Sequence, residues 1–341
     1  MAVENTAFKC YIDTGGGVGD GPTDVHVAMA GTSDLELTMT GDAQEGVNTI
    51  AQVRNIGALF ADQRQPQPAR TGDMDRVNNV VAVGAGKGGV GKSTMAVLLA
   101  LSLRSKGRQV GLLDADVYGP SIPMMLGLEG IQSIAADEKI IPVEARGLKV
   151  MSMGLLIDPY QPVIWRGPMV HNAVKQLLEQ VDWEQLDYLI VDLPPGTGDV
   201  PLTLAQSIPL TGAVVVCTGQ EVAKLDVRRA IGMYGKLGIK CLGVLENMTY
   251  FVAPDTGREY DLFGKDGARA LAAECEVPFL GSIPLNVAIR IAGDEGRSAE
   301  LSEELDAPTQ ETIDSATARM VAQINAWNIR KTELAGEDDQ Q

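Results

Sequence analysis

The stretch that most constrains this chain is Gly84-Ala85-Gly86-Lys87-Gly88-Gly89-Val90-Gly91-Lys92-Ser93-Thr94. An apolar run, Asn79 to Val83, leads into it, and a helical pattern, Met95 to Leu103, leads out. Strand, glycine-rich turn and helix in that order are the context of a phosphate-binding loop. The glycines let the main chain wrap closely around phosphate oxygens, with N–H groups along Gly86, Lys87, Gly88, Gly89, Val90, Gly91, Lys92, Ser93 and Thr94 turned inward. The amino end of the following helix adds partial positive charge. In this pattern Lys92 neutralises the β- and γ-phosphates of a nucleotide such as ATP, and the Ser93 hydroxyl ligates Mg²⁺.

A phosphate loop at residue 84 leaves a long stretch before it and a full domain after it. The chain has 341 residues, 45% hydrophobic and 21% charged, enough for one large core plus a smaller appendage. Its formal net charge of −17 disfavours tracking along a nucleic-acid backbone. A single nucleotide is still compatible, because a local nest of amides outweighs a distant, screened field. The four cysteines, Cys10, Cys217, Cys241 and Cys275, include no CxxC pair, so their spacing points to neither a zinc site nor a redox dithiol. Cys217 and Cys241 sit in apolar, strand-like runs and read as core residues. No secretory leader opens the chain and no apolar run reaches membrane-spanning length, so a cytoplasmic protein is expected.

Residues 1–76 read as a separate segment. Val25, Val27 and Met29 alternate with polar or small residues, as do Leu35, Leu37 and Met39, which predicts two short strands. Val47, Ile50, Val53, Ile56 and Leu59 fall at helical spacing, giving an expected ββα unit. The glycines at 15–21 lack a Gly-Lys-Ser ending and read as a loop, and Gln63 to Pro68 reads as a linker. Residues 77–330 then alternate strands and helices, as an α/β domain does when a mainly parallel sheet is covered on both faces. The expected strands are Asn79–Val83, Val110–Leu113, Leu148–Met153, Tyr188–Val191, Ala213–Cys217, Cys241–Leu245 and Phe279–Ile283, and residues 331–341 form an acidic tail.

Ligands on such sheets gather at the carboxyl ends of the strands. Just past Leu113 stand Asp114 and Asp116, two carboxylates two residues apart. Asp114 would lie near Mg²⁺ and Asp116 would orient an attacking water. Asp192 ends the run Tyr188–Val191 and would hold Mg²⁺ through water. The stiff segment Pro194-Pro195-Gly196 beyond it suits sensing of the γ-phosphate. Asn247 and Pro284-Leu285-Asn286 follow two later strands and would reach the base side of the nucleotide, with a helix cap as the alternative for either asparagine.

With these residues identified, Lys87 becomes informative. A second lysine early in the loop resembles the deviant P-loop of the MinD/ParA/nitrogenase-iron-protein class, where it reaches across a dimer to the partner's nucleotide. From Val77 to about Asn325, about three quarters of the chain, the sequence resembles the Mrp/ApbC family of iron–sulfur cluster carriers. The stretches that carry this are Leu113 to Ser121, Trp165-Arg166-Gly167-Pro168-Met169, Asp192 to Asp199, Glu246 to Phe251 and Gly281 to Leu285. The resemblance implies an ATP-sandwich homodimer, slow Mg²⁺-dependent hydrolysis assigned to Lys87, Lys92 and Asp116, and a 4Fe–4S cluster passed to apoproteins. In that family a CPxC motif follows the Asn-Met-x-Tyr-Phe run and bridges the cluster between subunits. Here the positions read Ala253-Pro254-Asp255-Thr256, so no Fe–S ligands are identified.

Two other readings remain open. One is an ATP-driven adaptor or scaffold without a cluster of its own, working with apoprotein clients or a CPxC-bearing relative. The other is a MinD/ParA-like positioning ATPase. Against the latter, Ile313, Ala316, Met320, Ile324 and Trp327 form a helical stripe, but Glu337-Asp338-Asp339 follows it, which anionic lipid would repel. No membrane or nucleic-acid partner is expected. His171 reads as structural.

Overall fold

Apolar runs that do not alternate with polar residues become interior strands when helices cover both faces of a sheet. The computed structural model describes residues 25–30, 34–39, 53–54, 72–136, 139–156, 167–264 and 266–338, and the chain divides into two units, Met1–Arg64 and Gln65–Gln341.

In the first unit β1 (Val25–Ala30) pairs antiparallel with β2 (Asp34–Met39). The register sets Val25, Val27 and Met29 opposite Met39, Leu37 and Leu35. The helix expected over Val47–Leu59 is corrected at its centre: β3 (Val53–Arg54) is a strand paired with Leu35 and Asp34. A short apolar run fits either periodicity, and here pairing to β2 decides. The other positions of that run, the glycine-rich stretch, the Gln63–Pro68 linker and Cys10 lie outside the described residues.

The second unit is built on an eight-stranded sheet. Its strands are β4 (Val77–Ala85), β5 (Val110–Asp114), β8 (Val143–Ala145), β9 (Leu148–Ser152), β10 (Leu186–Asp192), β11 (Gly212–Cys217), β12 (Cys241–Asn247) and β15 (Phe279–Ile283). Two short hairpins lie outside it: β6 (Ala135–Ala136) with β7 (Lys139–Ile140), and β13 (Phe251–Val252) with β14 (Glu259–Tyr260). The order across the main sheet is β15-β12-β11-β4-β10-β5-β9-β8, parallel throughout except for the antiparallel edge strand β8. All seven expected strands are present. The one placed at Leu148–Met153 ends at Ser152, where a 3₁₀ turn begins.

Side chains alternate between two cores. Val80, Ala82, Leu189, Val191, Ala213 and Val215 face α3 (Gly167–Glu179), α4 (Asp199–Ser207), α5 (Glu221–Lys236) and α6 (Gly267–Glu274). Val81, Val83, Tyr188, Ile190, Val214 and Val216 face α1 (Lys92–Ser105), α2 (Ile122–Met125), α7 (Val287–Asp294), α8 (Leu301–Glu304) and α9 (Ala307–Asp338). The stripe Ile313, Ala316, Met320 and Ile324 of α9 is buried in this second core, as its spacing predicts. The helix continues through Asp338, so the acidic tail begins as part of it. No described helix is long and apolar enough to cross a membrane.

Candidate functional site: a phosphate loop facing two strand-end carboxylates

Pairing register builds this site. Val83, near the end of the strand that leads into the phosphate loop, pairs with Asp192; Asp192 pairs with Asp114; Asp114 pairs with Ser152. One row across β4, β10, β5 and β9 therefore brings two acidic side chains to the base of the loop, one strand spacing apart. Both are buried, Asp192 at 0% and Asp114 at 1% exposure.

The loop runs from Gly86 to Gly91 and α1 begins at Lys92, with the first helical bond from the Met95 N–H to the Gly91 carbonyl at 2.9 Å. Gly91 has φ of +80°, and a β-carbon there would collide with the Asn247 amide. Only glycine combines that left-handed turn with that close approach. Gly86 backs onto the main-chain carbonyl of Asp226 in α5 with no room for a side chain, so it shapes the loop from behind. Gly88 and Gly89 are exposed at the tip, while Val90 is buried and points away from it.

Lys92 Nζ lies 2.6 Å from Asp192 Oδ1 and 3.9 Å from Asp116 Oδ2. Ser93 Oγ donates to Asp192 Oδ2 at 2.5 Å. Asp114 accepts from the Asp116 N–H at 3.1 Å, the Ile122 N–H at 3.2 Å and Ser152 Oγ at 3.4 Å, which fixes its carboxylate at the foot of α2. Burial, and then the neighbouring Asp192 charge, push Asp114 up to about 7. Burial also raises Asp192 and Asp116, against the pull of Lys92 on each. A hydroxyl beside buried carboxylates is an all-oxygen donor set, the chemistry a hard divalent cation such as Mg²⁺ takes. Ser93, Asp192 and Asp114 fit that ion.

A cavity of about 590 Å³ opens above these groups, a fitting size for a nucleotide. Lys87, Lys92, Ser93, Thr94 and Asp116 line its charged end, and Asn247 and Pro284 line it farther along. Asn247 also bonds the protein: Nδ2 donates to the Val90 carbonyl at 2.9 Å and Oδ1 accepts from the Met248 N–H at 2.9 Å. It clamps the phosphate loop. Asn286 takes the helix-cap alternative at α7, accepting from the Ala288 N–H at 2.8 Å. Lys87 Nζ meets Gln220 Oε1 at 3.3 Å, beside the start of α5.

Sequence reasoning missed the far wall, made by Met125 of α2 with Ile289 and Arg290 of α7. The only local signal of Met125 and Ile289 is apolar spacing in two short helices, which reads equally well as core. Trp165 and Arg166 lie outside the described residues, and His171 falls in α3.

The hairpin β13–β14 carries the turn Ala253–Arg258, closed by the Ala253 N–H on the Arg258 carbonyl at 2.9 Å. Thr256 Oγ1 donates to Asp255 at 3.4 Å, and the turn is largely exposed. Cys217 and Cys241 are buried, which pushes their thiols up to about 12 and about 11. Burial raises Cys275, at the end of α6, as well. Among the described residues no group of three or more His, Cys, Asp or Glu side chains is arranged to hold a metal. Neither the turn nor these thiols offers the thiolates an iron–sulfur cluster takes.

Comparisons with known proteins agree with this geometry. The family model described as ParA, NUBPL iron-transfer P-loop NTPase, matches residues 76–321. The chain is 48% identical over 263 residues to a protein of Synechocystis sp. named iron-sulfur cluster carrier protein, covering 75% of this chain and 74% of that one. It is similar to a nucleotide-binding protein of Archaeoglobus fulgidus solved in complex with ADP, with TM-score 0.61, 40% identity, and coverage of 67% and 90%. The cell division protein MinD of Aquifex aeolicus shares the fold, with TM-score 0.52 at 21% identity and coverage of 72% and 97%. By its loop, its carboxylate row and these matches, the chain belongs to the NUBPL-type iron-transfer P-loop NTPase family.

Proposed function

We propose that this protein binds and slowly hydrolyses ATP with Mg²⁺, as an ATP-sandwich homodimer, in the assembly and transfer of iron–sulfur clusters to apoproteins. The observation that carries the nucleotide reading is the convergence of Lys92 and Ser93 on Asp192, with Asp114 in the next strand. Lys92 and the loop amides would hold the phosphates, Asp116 would orient the attacking water, and Lys87 would act on the partner subunit's nucleotide. Mg²⁺ bound by Ser93, Asp192 and Asp114 would neutralise phosphate charge. Calorimetric titration of the purified chain with ATP and MgCl₂ tests this; no measurable affinity would refute it.

A second reading concerns cargo. Ala253 and Thr256 are not soft ligands, and the described cysteines are held as buried or half-buried thiols. These support a role as an ATP-driven adaptor whose cluster ligands come from another protein, an apoprotein client or a thiolate-bearing relative. Anaerobic reconstitution of the chain alone, followed by desalting and iron counting, separates the readings. Stoichiometric iron that survives desalting would refute the adaptor, and Cys10→Ser would then show whether that thiol holds it.

A further inference from the structure

A second cavity, of about 170 Å³, lies between the last turns of α1, the turn joining β8 to β9, α8 and the start of α9. Leu98, Leu301 and Ile313 give it a buried apolar floor, and Arg104 and Arg146 stand in its wall. No described residue lines both this cavity and the nucleotide cavity. Lys92 begins α1 and Arg104 falls in its last turn, so the two are about 18 Å apart along the helix. The cations here are not equally committed. Lys106 meets Asp314 at 2.7 Å and Arg146 meets Glu300 at 2.5 Å. Arg104 gives only its Nε, to the Gly147 carbonyl at 2.9 Å, and no described carboxylate pairs with it. In a chain of net charge −17, a half-buried guanidinium without an acid does not reflect a shortage of acids. Its place is also fixed: a β-carbon at Gly147, where φ is +79°, would fall 2.4 Å from Arg104 Nε and 2.6 Å from Nη2. Only glycine lets the guanidinium lie that close to the turn. Arg146, at φ of +50°, takes the other left-handed position of the same turn, one that favours asparagine or glycine.

We propose that this cavity is a second ligand site, one that takes a small monocarboxylate with a short branched hydrocarbon tail. The carboxylate sits on the terminal N–H groups of Arg104, whose planar fork matches two carboxylate oxygens. The tail covers Leu98, Leu301 and Ile313. Arg104 is the uncommitted cation of the three, so a single negative charge is matched. A dianion would leave one charge unpaired beside Glu300 and Asp314. Size limits the tail, since an apolar cavity of about 150 Å³ holds a benzene-sized molecule.

The test is ligand-observed NMR titration of the full chain at neutral pH, with MgATP in excess so that the nucleotide cavity is filled. The probes are isovalerate, isovaleramide and acetate. Isovalerate should bind with Kd on the order of 1 mM, which is what about seven non-hydrogen atoms allow. Isovaleramide, which lacks the charge, and acetate, which lacks the tail, should each bind at least roughly 10-fold more weakly. Arg104→Met keeps the aliphatic stem and should weaken isovalerate roughly 10-fold, and Arg104→Lys, which keeps the charge but not the fork, should fall between. Far-UV circular dichroism checks that each variant folds; should neither fold, the comparison of acid with amide on the native chain decides. Isovalerate and isovaleramide binding equally, an isovalerate affinity that Arg104→Met leaves unchanged, or no isovalerate binding at about 10 mM overturns the site. Binding that MgATP abolishes would place the probe in the nucleotide cavity and overturns it as well.

Discussion

Lys87 and Asn247 show how much one side chain's position adds to its identity. Lys87 rests against Gln220 and lines the same cavity as Lys92, but no described carboxylate holds it as Asp192 holds Lys92. If it acts across a dimer as a trans cation, Lys87→Ala should lower turnover on the order of 10³-fold, about 4 kcal/mol of barrier, with MgATP affinity less affected. A phosphate-release assay under saturating ATP reads this, and unchanged turnover would remove the assignment. Asn247, expected on the base side of the nucleotide, lines the cavity and also bonds Val90 across 157 residues of chain. Asn247→Ala deletes one buried hydrogen bond to the loop, about 1 kcal/mol, and should weaken MgATP binding by roughly 5-fold. An equal loss for ATP and GTP would mark it as a clamp; a loss confined to ATP would mark it as a base reader.

Helix α9 carries the clearest predictions among the elements. Its buried stripe includes Met320 at 0% exposure, packed in the core that also holds α1 and β15. Met320→Ala should destabilise the second unit by about 2–5 kcal/mol, read as a shift in the denaturation midpoint. The helix also begins on a polar latch: the Thr309 N–H donates to Asp306 at 2.8 Å, and Asp314 accepts from Ser102 at 2.6 Å and Lys106 at 2.7 Å. Partial burial opposes the ionisation of both carboxylates, but these bonds outweigh it and hold each below its ordinary value of 3.8. Their stabilisation is thus fully present above pH 3.8 and is lost as pH falls through the depressed folded-state values. Asp314→Asn should flatten the acid side of a stability–pH profile by lowering its neutral plateau toward the acid value, with stability in strong acid little changed. An unchanged acid limb would show that the latch carries no net stability.

On the scale of the whole molecule, eight strands and two helix layers serve to bring the row Val83, Asp192, Asp114 and Ser152 beneath one loop. A dimer closed over that loop should form with MgATP and dissociate with ADP, which light scattering after gel filtration would reveal; a monomer in both states would exclude the sandwich. The parallel sheet was legible because its central strands are buried on both faces. They therefore read as unbroken apolar runs, as in Val80–Val83 and Ala213–Cys217, with no polar residue interrupting either. The antiparallel edge strand β8 and the two-residue hairpin strands were not legible, since three or fewer residues show no period. Nor was the wall formed by α2 and α7, where Met125 and Ile289 look like any core residue until the cavity is seen.

Local chemistry is what contiguous residues could declare: a glycine-rich turn before Lys92 and Ser93, carboxylates just past buried strands, a turn at Ala253–Thr256 without thiols. Such features depend on neighbours a few residues away, and backbone sterics and side-chain type suffice to reveal them. The strand order, the strand pairing at Val53, and the meeting of Lys92 with a carboxylate 100 positions later depend instead on which apolar faces pack together. Burial is non-directional and carries no address, so partners so distant in the chain become known only once the sheet has taken its register.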